Sequence, residues 1–181
     1  PKRIGVSGAV FDITKLDWIN QQYIIQHIPQ DNLWDRLKGW GFNDEFMNRL
    51  MPLAHSRMKN FGDFIELADF LFINHLPYSE ALFEVPGVSK TKVAAIYQAI
   101  IWEMDKSENW AGSGMNEASR KVAELFGVNH KKVVMPLLFA CIMGKRHGLP
   151  LFDSVELLGK DRMRVRLLQS MDFNGGLSSK K

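Results

Sequence analysis

The sequence has a single cysteine, Cys141, in 181 residues, so a disulfide within the chain is excluded. This cysteine lies in an apolar run, residues 137–142, which is typical of a core position rather than of a reactive thiol. No window approaches the roughly 18 consecutive apolar residues that a membrane-spanning helix needs. Residues 1–5 lack the apolar block of a secretory signal. These absences predict a soluble, cytoplasmic protein.

Signals for catalysis are equally scarce. The chain has no Gly-x-x-x-x-Gly-Lys-Ser/Thr phosphate loop, no Gly-x-Gly-x-x-Gly turn after a strand and no Gly-x-Ser-x-Gly motif. Its histidines are scattered singly, without the spacing of a metal site: His27, His55, His75, His130 and His147. The sequence therefore predicts neither a metal site nor an independent enzyme.

Charge is distributed unevenly along the chain, although the net charge is only +3. Residues 1–119 contain 11 basic and 15 acidic side chains, whereas residues 120–166 contain 10 basic and 4 acidic ones. A basic segment of this kind favours a polyanionic partner for the C-terminal part of the chain.

Apolar residues recur at helical spacing, and the alternation typical of strands is nearly absent. Residues 92–104 and 116–126 each form a wide apolar stripe, which predicts two helices that need covering partners. Gly127, Gly144 and Gly159 follow such runs and are predicted to end helices, while Pro52 and Pro136 predict a break or kink. The sequence predicts an all-α fold.

One segment, residues 81–94, partly matches a helix-hairpin-helix element of DNA-binding proteins. In that element a Pro-Gly-Val-Gly turn offers backbone amides to a DNA phosphate, but here the second glycine is replaced by Ser89. Because serine is a favoured N-cap, we interpret the segment as a turn followed by a capped helix. A DNA-binding module, or a helical scaffold without a nucleic-acid role, stays open as an alternative.

Two stretches near the ends of the chain carry more specific motifs. Residues 10–24 contain Phe-Asp-Ile-Thr-Lys-Leu-Asp-Trp-Ile-Asn-Gln-Gln-Tyr-Ile, and residues 149–162 contain Pro-Leu-Phe-Asp followed by Leu-Leu-Gly-Lys-Asp-Arg. The first is similar to the Phe-Asp-x-x-Lys-Leu-x-Trp-x-Asn-x-x-Tyr-Ile segment of bacterial-type glutamyl-tRNA synthetases. The second resembles their Pro-x-Leu-Phe-Glu…Leu-Leu-Gly-Lys-Glu-Arg run, and the segments between them follow in the family's order.

The two catalytic signatures of that family, His-x-Gly-His and the Lys-x-Ser-Lys/Arg loop, are missing from this sequence. The resemblance therefore implies the tRNA-reading part of a glutamate-tRNA ligase, without the ATP and glutamate site. We expect no cofactor in this part, since ATP and Mg²⁺ belong to the catalytic part of the family. The implied partner is glutamate tRNA, bound by a monomer.

The resemblance implies a two-lobe helical bundle in four segments. Residues 1–28 would end a stem-contacting helical subdomain, and residues 29–75 and 76–173 would form the first and second anticodon-binding lobes. Residues 174–181, rich in glycine, serine and lysine, are predicted to be a disordered tail.

Arg57 matches the family's arginine that reads the third anticodon base, which is cytosine for glutamate. The cytosine edge offers the acceptors O2 and N3 to a guanidinium, whereas guanine, found there in glutamine tRNA, presents an N1–H donor. The alternative interpretation of Arg57 is an ordinary surface arginine on a helix.

The family inserts a loop among the anticodon bases, and its counterpart here comprises Leu149, Pro150, Leu151 and Phe152. A core role for Leu151 and Phe152 is equally consistent with the sequence, and both interpretations hold together if Leu151 points outward and Phe152 inward.

Three further basic residues are predicted to contact the tRNA backbone. A second family arginine would follow Pro136-Leu137, but this sequence has Leu138 and Phe139 there, so the reading of the first anticodon base is open. Lys145 and Arg146, just after Gly144, are predicted to contact phosphate instead. Lys15 is predicted to contact backbone phosphate, while Trp18 is expected in the core.

Overall fold

A computed structural model describes residues 13–176, and all regular elements in that range are helical. The α-helices are α1 (Ile13–His27), α2 (Gln30–Gly41), α3 (Asp44–His55), α4 (Asp63–Ala68), α5 (Glu80–Phe83), α6 (Lys90–Ser107), α7 (Gly112–Leu125), α8 (Met135–Met143), α9 (Leu151–Leu158) and α10 (Lys160–Phe173). A 3-10 helix, Asp69–Leu71, follows α4, and a π-helical turn, His130–Val134, precedes α8. The predicted all-α fold is confirmed.

The chain divides into two compact units between Asp44 and Glu45. This division differs from the boundaries after residues 28 and 75, which stay predictions. The beginning of the first predicted segment and residues 177–181 of the predicted tail lie outside the described residues. Within the described range, α10 is closed by a turn in which the Gly176 amide donates to the Met171 carbonyl at 2.8 Å.

In the first unit, α1 and α2 leave most of their large apolar side chains exposed. Trp18 on α1 is 60% exposed, so the expected core position of this residue is wrong. An apolar side chain becomes buried when another secondary-structure element packs over it, and few residues of α1 and α2 are buried in this way. On α2, Trp34 meets the Phe42 ring at a centroid distance of 6.4 Å and the Lys38 ammonium at 5.7 Å.

In the second unit, α6 packs against α7 and α10, and α7 packs against α9. The predicted stripe on α6 is buried, from Val93 to Met104, because its spacing places these side chains on the faces that meet α7 and α10. On α7, Ala118 and Val122 are buried as predicted, but Leu125 near the helix end is exposed.

Helix ends follow the predicted capping chemistry. The Ser89 hydroxyl accepts the Lys92 amide at 3.2 Å and caps α6, which confirms the turn-and-cap interpretation. Gly144 and Gly159 have φ angles of 65° and 79° just after α8 and α9, where an L-residue would be strained. Helix α3 continues through Pro52 to His55, so no break occurs there.

Tyrosine hydroxyls join α6 and the loop before α5 to the hydrophobic α8. Tyr97 donates to the Leu137 carbonyl at 2.7 Å, and Tyr78 donates to the Cys141 carbonyl at 2.7 Å. Cys141 is fully buried, and burial raises the pKa of its thiol to about 12, in keeping with a core role.

Among residues 13–176, no single helix is long and apolar enough to cross a membrane. Helix α7 and residues 130–143 reach that length and apolarity only as a pair, and the pair is bent by 113°.

Candidate functional site

Two distant parts of the second unit line one open cavity of about 600 Å³, here called the Arg57 cavity. One part runs from the turn after α3 through α4 to the 3-10 helix, and the other is the loop between α8 and α9, residues 144–150. The cavity is lined by Arg57, Lys59, Asp63, Glu66, Leu67, Asp69, Lys145, His147 and Gly148. Arg57 and Lys145, which were predicted separately from sequence, are therefore brought together.

The turn that carries Arg57 is held by a reciprocal cap. The Asp63 carboxylate accepts the backbone amides of Lys59 at 2.6 Å and Asn60 at 3.1 Å. In return, the Asp63 amide donates to the Asn60 side-chain oxygen at 3.2 Å. The two amides that donate to the Asp63 carboxylate lower its pKa, so the carboxylate is charged at neutral pH. At the other end, the Arg57 amide donates to the Ala54 carbonyl at 2.8 Å.

The basic residues of the 144–150 loop fasten it to other parts of the same unit. The Lys145 ammonium pairs with the Asp69 carboxylate at 2.6 Å and donates to the Glu66 carbonyl. Arg146 donates to the carbonyl oxygens of Ala81 and Glu84. Because lysine has three donors and arginine five, each side chain retains capacity for a further contact. Their phosphate contacts stay a prediction.

Two arginines of α10 donate hydrogen bonds to backbone carbonyls next to Asp69, which lines the Arg57 cavity. Arg162 donates to the Leu71 carbonyl at 2.7 Å, and Arg166 donates to the carbonyls of Phe70, Ile73 and Ile142. The two arginines lie on one face of α10, as their spacing predicts. Since Leu71 and Phe70 directly follow Asp69, these bonds hold the carboxylate that pairs with Lys145.

The predicted inserting loop is mostly buried. Leu149 and Leu151 are covered, with Leu151 only 4% exposed, whereas Pro150 and Phe152 are partly exposed. The predicted outward position of Leu151 is therefore wrong, whereas Phe152 is partly buried and packs against the core. Helix α7 approaches this segment closely, since a Cβ on Gly112 would lie against the Phe152 carbonyl. Contacts of Leu149, Pro150, Leu151 and Phe152 with RNA bases stay a prediction, for which Pro150 and Phe152 offer the accessible surface.

The Arg57 cavity is lined by three cationic side chains, Arg57, Lys59 and Lys145, and by three carboxylates, Asp63, Glu66 and Asp69, of which that of Glu66 is exposed. The Asp63 carboxylate accepts the cap amides. The Asp69 carboxylate pairs with Lys145 and accepts the Phe70 amide at 2.6 Å. The side chains of Arg57 and Lys59 form no hydrogen bond or ion pair with any residue that the structure describes. Both are exposed, and such charges suit a phosphate-bearing ligand.

Among the cavity residues that are not predicted from the sequence, a lysine and a histidine had a signal in the sequence. Lys59 and His147 each lie two positions after a predicted residue, Arg57 and Lys145, so a search for neighbouring basic side chains would have found them. Within the described range, no group of three or more His, Cys, Asp or Glu residues could hold a metal ion. Lys15, on α1 of the first unit, is exposed there.

A family model described as the anticodon binding domain matches residues 22–171, which is most of the chain. The chain belongs to the anticodon-binding domain family. The matched range includes every residue of the Arg57 cavity and leaves out Lys15. This membership confirms the resemblance inferred from the sequence motifs.

Curated relatives of this anticodon-binding domain are longer proteins. The chain is similar to a glutamate-tRNA ligase of Protochlamydia amoebophila, with 63% identity over 180 residues, 99% of this chain and 36% of that protein. It is also 42% identical to the glutamate-tRNA ligase of Chlamydia caviae over the same shares. The chain therefore spans about a third of the length of these relatives.

Solved structures share the fold of the anticodon-binding domain. A glutamate tRNA ligase from Elizabethkingia meningosepticum is similar at a TM-score of 0.59 and 23% identity, covering 90% of this chain and 32% of that one. A glutamate-tRNA synthetase from Elizabethkingia anophelis matches over the same shares at a TM-score of 0.58 and 20% identity.

Proposed function

We propose that this anticodon-binding domain binds the anticodon loop of glutamate tRNA as part of a glutamate-tRNA ligase. The observation that carries the proposal is the exposed, unpaired Arg57 on a capped turn, facing the 144–150 loop across one cavity. The domain contributes recognition, while ATP and Mg²⁺ are used by the rest of the enzyme. It acts as a monomer in the cytoplasm, where translation takes place.

Arg57 is proposed to read the third anticodon base. Anticodon bases are unpaired, so a side chain can reach their Watson–Crick edges. The planar guanidinium offers paired donors that match O2 and N3 of cytosine, and its donors would confront N1–H of guanine. The cap between Asn60 and Asp63 supports this role, because it fixes the backbone of the turn before RNA binds.

The other predicted residues are proposed to position the RNA. Lys145 and Arg146 would use their remaining donors on phosphate, which places the backbone without reading sequence. Pro150 and Phe152 offer a partly exposed apolar surface, and Lys15 would contact the backbone from α1. Leu149 and Leu151 support this surface from within the core.

Binding to altered tRNAs tests the proposal. The 181-residue chain is expected to bind glutamate tRNA at least tenfold more tightly than the same transcript with all three anticodon nucleotides replaced, since one base contact contributes roughly 1–3 kcal/mol. Fluorescence anisotropy at one fixed salt concentration would measure both dissociation constants, because salt alone shifts them strongly.

Binding to a DNA duplex of similar length distinguishes the proposed function from the alternative, a DNA-binding module. Equal affinity for the two transcripts would contradict anticodon recognition. Duplex DNA bound as tightly as glutamate tRNA would instead support the helix-hairpin-helix interpretation of residues 81–94.

A further inference from the structure

Phe61 is the most exposed large apolar side chain that the structure describes, at 93% exposure. It lies between Lys59 and Asp63, both of which line the Arg57 cavity. Full exposure of a phenylalanine leaves its whole apolar surface in water, where it contributes nothing to the core. Stability of the fold therefore does not explain an aromatic ring at this position.

The backbone on both sides of Phe61 is hydrogen-bonded. Asn60 and Asp63 form the reciprocal cap, with the Asn60 side-chain amide donating to the Asp63 carboxylate at 2.8 Å. The Phe61 carbonyl itself accepts the Phe64 amide at 3.2 Å. The ring is thus carried on a defined turn, so a ligand that covers it need not first order the chain.

The charges around the ring indicate what would cover it. Arg57 and Lys59 on the same turn are cationic, exposed and form no ion pair with the described residues, whereas Lys145 in the same cavity is paired with Asp69. Unpaired cations beside an exposed aromatic ring are a combination by which proteins bind unpaired nucleic acid, with phosphates on the cations and a base on the ring. Protein–protein interfaces are depleted of Lys, Glu and Asp, and all three line this cavity, so a protein partner fits it less well.

We propose that Phe61 stacks on an unpaired base of the RNA bound at the Arg57 cavity, beside the base that Arg57 reads. This inference rests on the proposed function and adds a contact that is tolerant of sequence, because every base has a flat face. Phe61 supplies affinity, and Arg57 supplies discrimination. The two roles predict different responses to the same set of tRNAs.

The test compares Phe61→Ala and Phe61→Trp with the control Ile65→Ala, whose side chain is 68% exposed one helical turn further on. Phe61→Ala is expected to weaken binding of glutamate tRNA about 5- to 150-fold, the range for loss of one stacked base. The loss should be the same whether the third anticodon base is cytosine or guanine. Ile65→Ala should bind as the unsubstituted chain does.

Phe61→Trp keeps a flat ring and is expected to retain affinity, with its added fluorescence quenched when RNA binds. Unfolding temperatures of all three variants should match the unsubstituted chain, since both side chains are exposed and make no core contact.

Each outcome separates the two proposals. If Phe61→Ala binds as tightly as Ile65→Ala while the unsubstituted chain still prefers the glutamate anticodon, stacking by Phe61 is wrong and the proposed function stands. If the unsubstituted chain shows no anticodon preference, the proposed function fails. A loss of affinity that Phe61→Trp does not restore would also overturn stacking.

Discussion

Replacing Arg166 by methionine is expected to destabilise the second unit by roughly 3–5 kcal/mol. The guanidinium is 2% exposed and donates to three backbone carbonyls, those of Phe70, Ile73 and Ile142. Methionine fills much of the same volume but donates nothing, so three carbonyls are left without this partner. Burial lowers the pKa of Arg166, which nevertheless stays charged at neutral pH because arginine starts far above it.

The matched control is Arg164→Met, two residues away on the same helix. Arg164 pairs with the Asp105 carboxylate at 2.5 Å on the exposed side, and such pairs contribute roughly 0–1 kcal/mol. Urea unfolding followed by circular dichroism would measure both variants. Equal and small losses would show that the buried contacts of Arg166 do not support the fold as described.

Substitution of Gly112 by alanine is expected to cost about 3 kcal/mol, at the upper end for overpacked sites. A Cβ there would lie against the Phe152 carbonyl oxygen and 2.8 Å from the carbonyl carbon. These atoms belong to the backbone, so α7 and α9 must move apart to make room. Phe152 lies just after the 144–150 loop, so the same change would also shift the partly exposed Phe152 side chain.

Gly39→Ala on α2 is the control for adding a methyl group to a helical glycine. A Cβ at Gly39 meets nothing within 4 Å, so alanine should stabilise its helix by roughly 0.5–1 kcal/mol. Opposite signs for the two variants in thermal unfolding are expected. A Gly112→Ala variant as stable as the unsubstituted chain would contradict the close packing of α7 on Phe152.

Local patterns account for the parts of the fold that the sequence predicts well. The apolar stripe of α6 follows from the helical repeat alone, and Ser89 and Gly144 mark helix ends through the chemistry of a few neighbouring residues. Arg57 could be singled out only because the family resemblance carries a role for that position. Nothing in its immediate surroundings distinguishes it from a surface arginine.

The sequence predicts poorly those contacts and burials that depend on parts of the chain far apart in sequence. Lys145 pairs with Asp69 across 76 residues, and no local pattern indicates that partner. Leu151 and Phe152 are both apolar, so their sequence does not indicate which of them is more deeply buried, and Leu151 is. Arg166 was open to prediction, since it occupies a helical stripe with Met163 and other buried residues of α10.

The proposed reading of the third anticodon base is tested most directly by combining an Arg57 variant with a change of that base. Dissociation constants would be measured for the unsubstituted chain, Arg57→Gln and the control Lys59→Gln, each with glutamate tRNA carrying cytosine or guanine as the third anticodon base. Lys59 lies on the same turn and lines the same cavity, so its loss should weaken both complexes alike and reduce their salt dependence.

The unsubstituted chain is expected to prefer cytosine, and Arg57→Gln is expected to lose roughly 1–3 kcal/mol of this preference. Lys59→Gln should keep the preference intact. A preference for cytosine that is unchanged by Arg57→Gln would contradict the reading of the third base by Arg57.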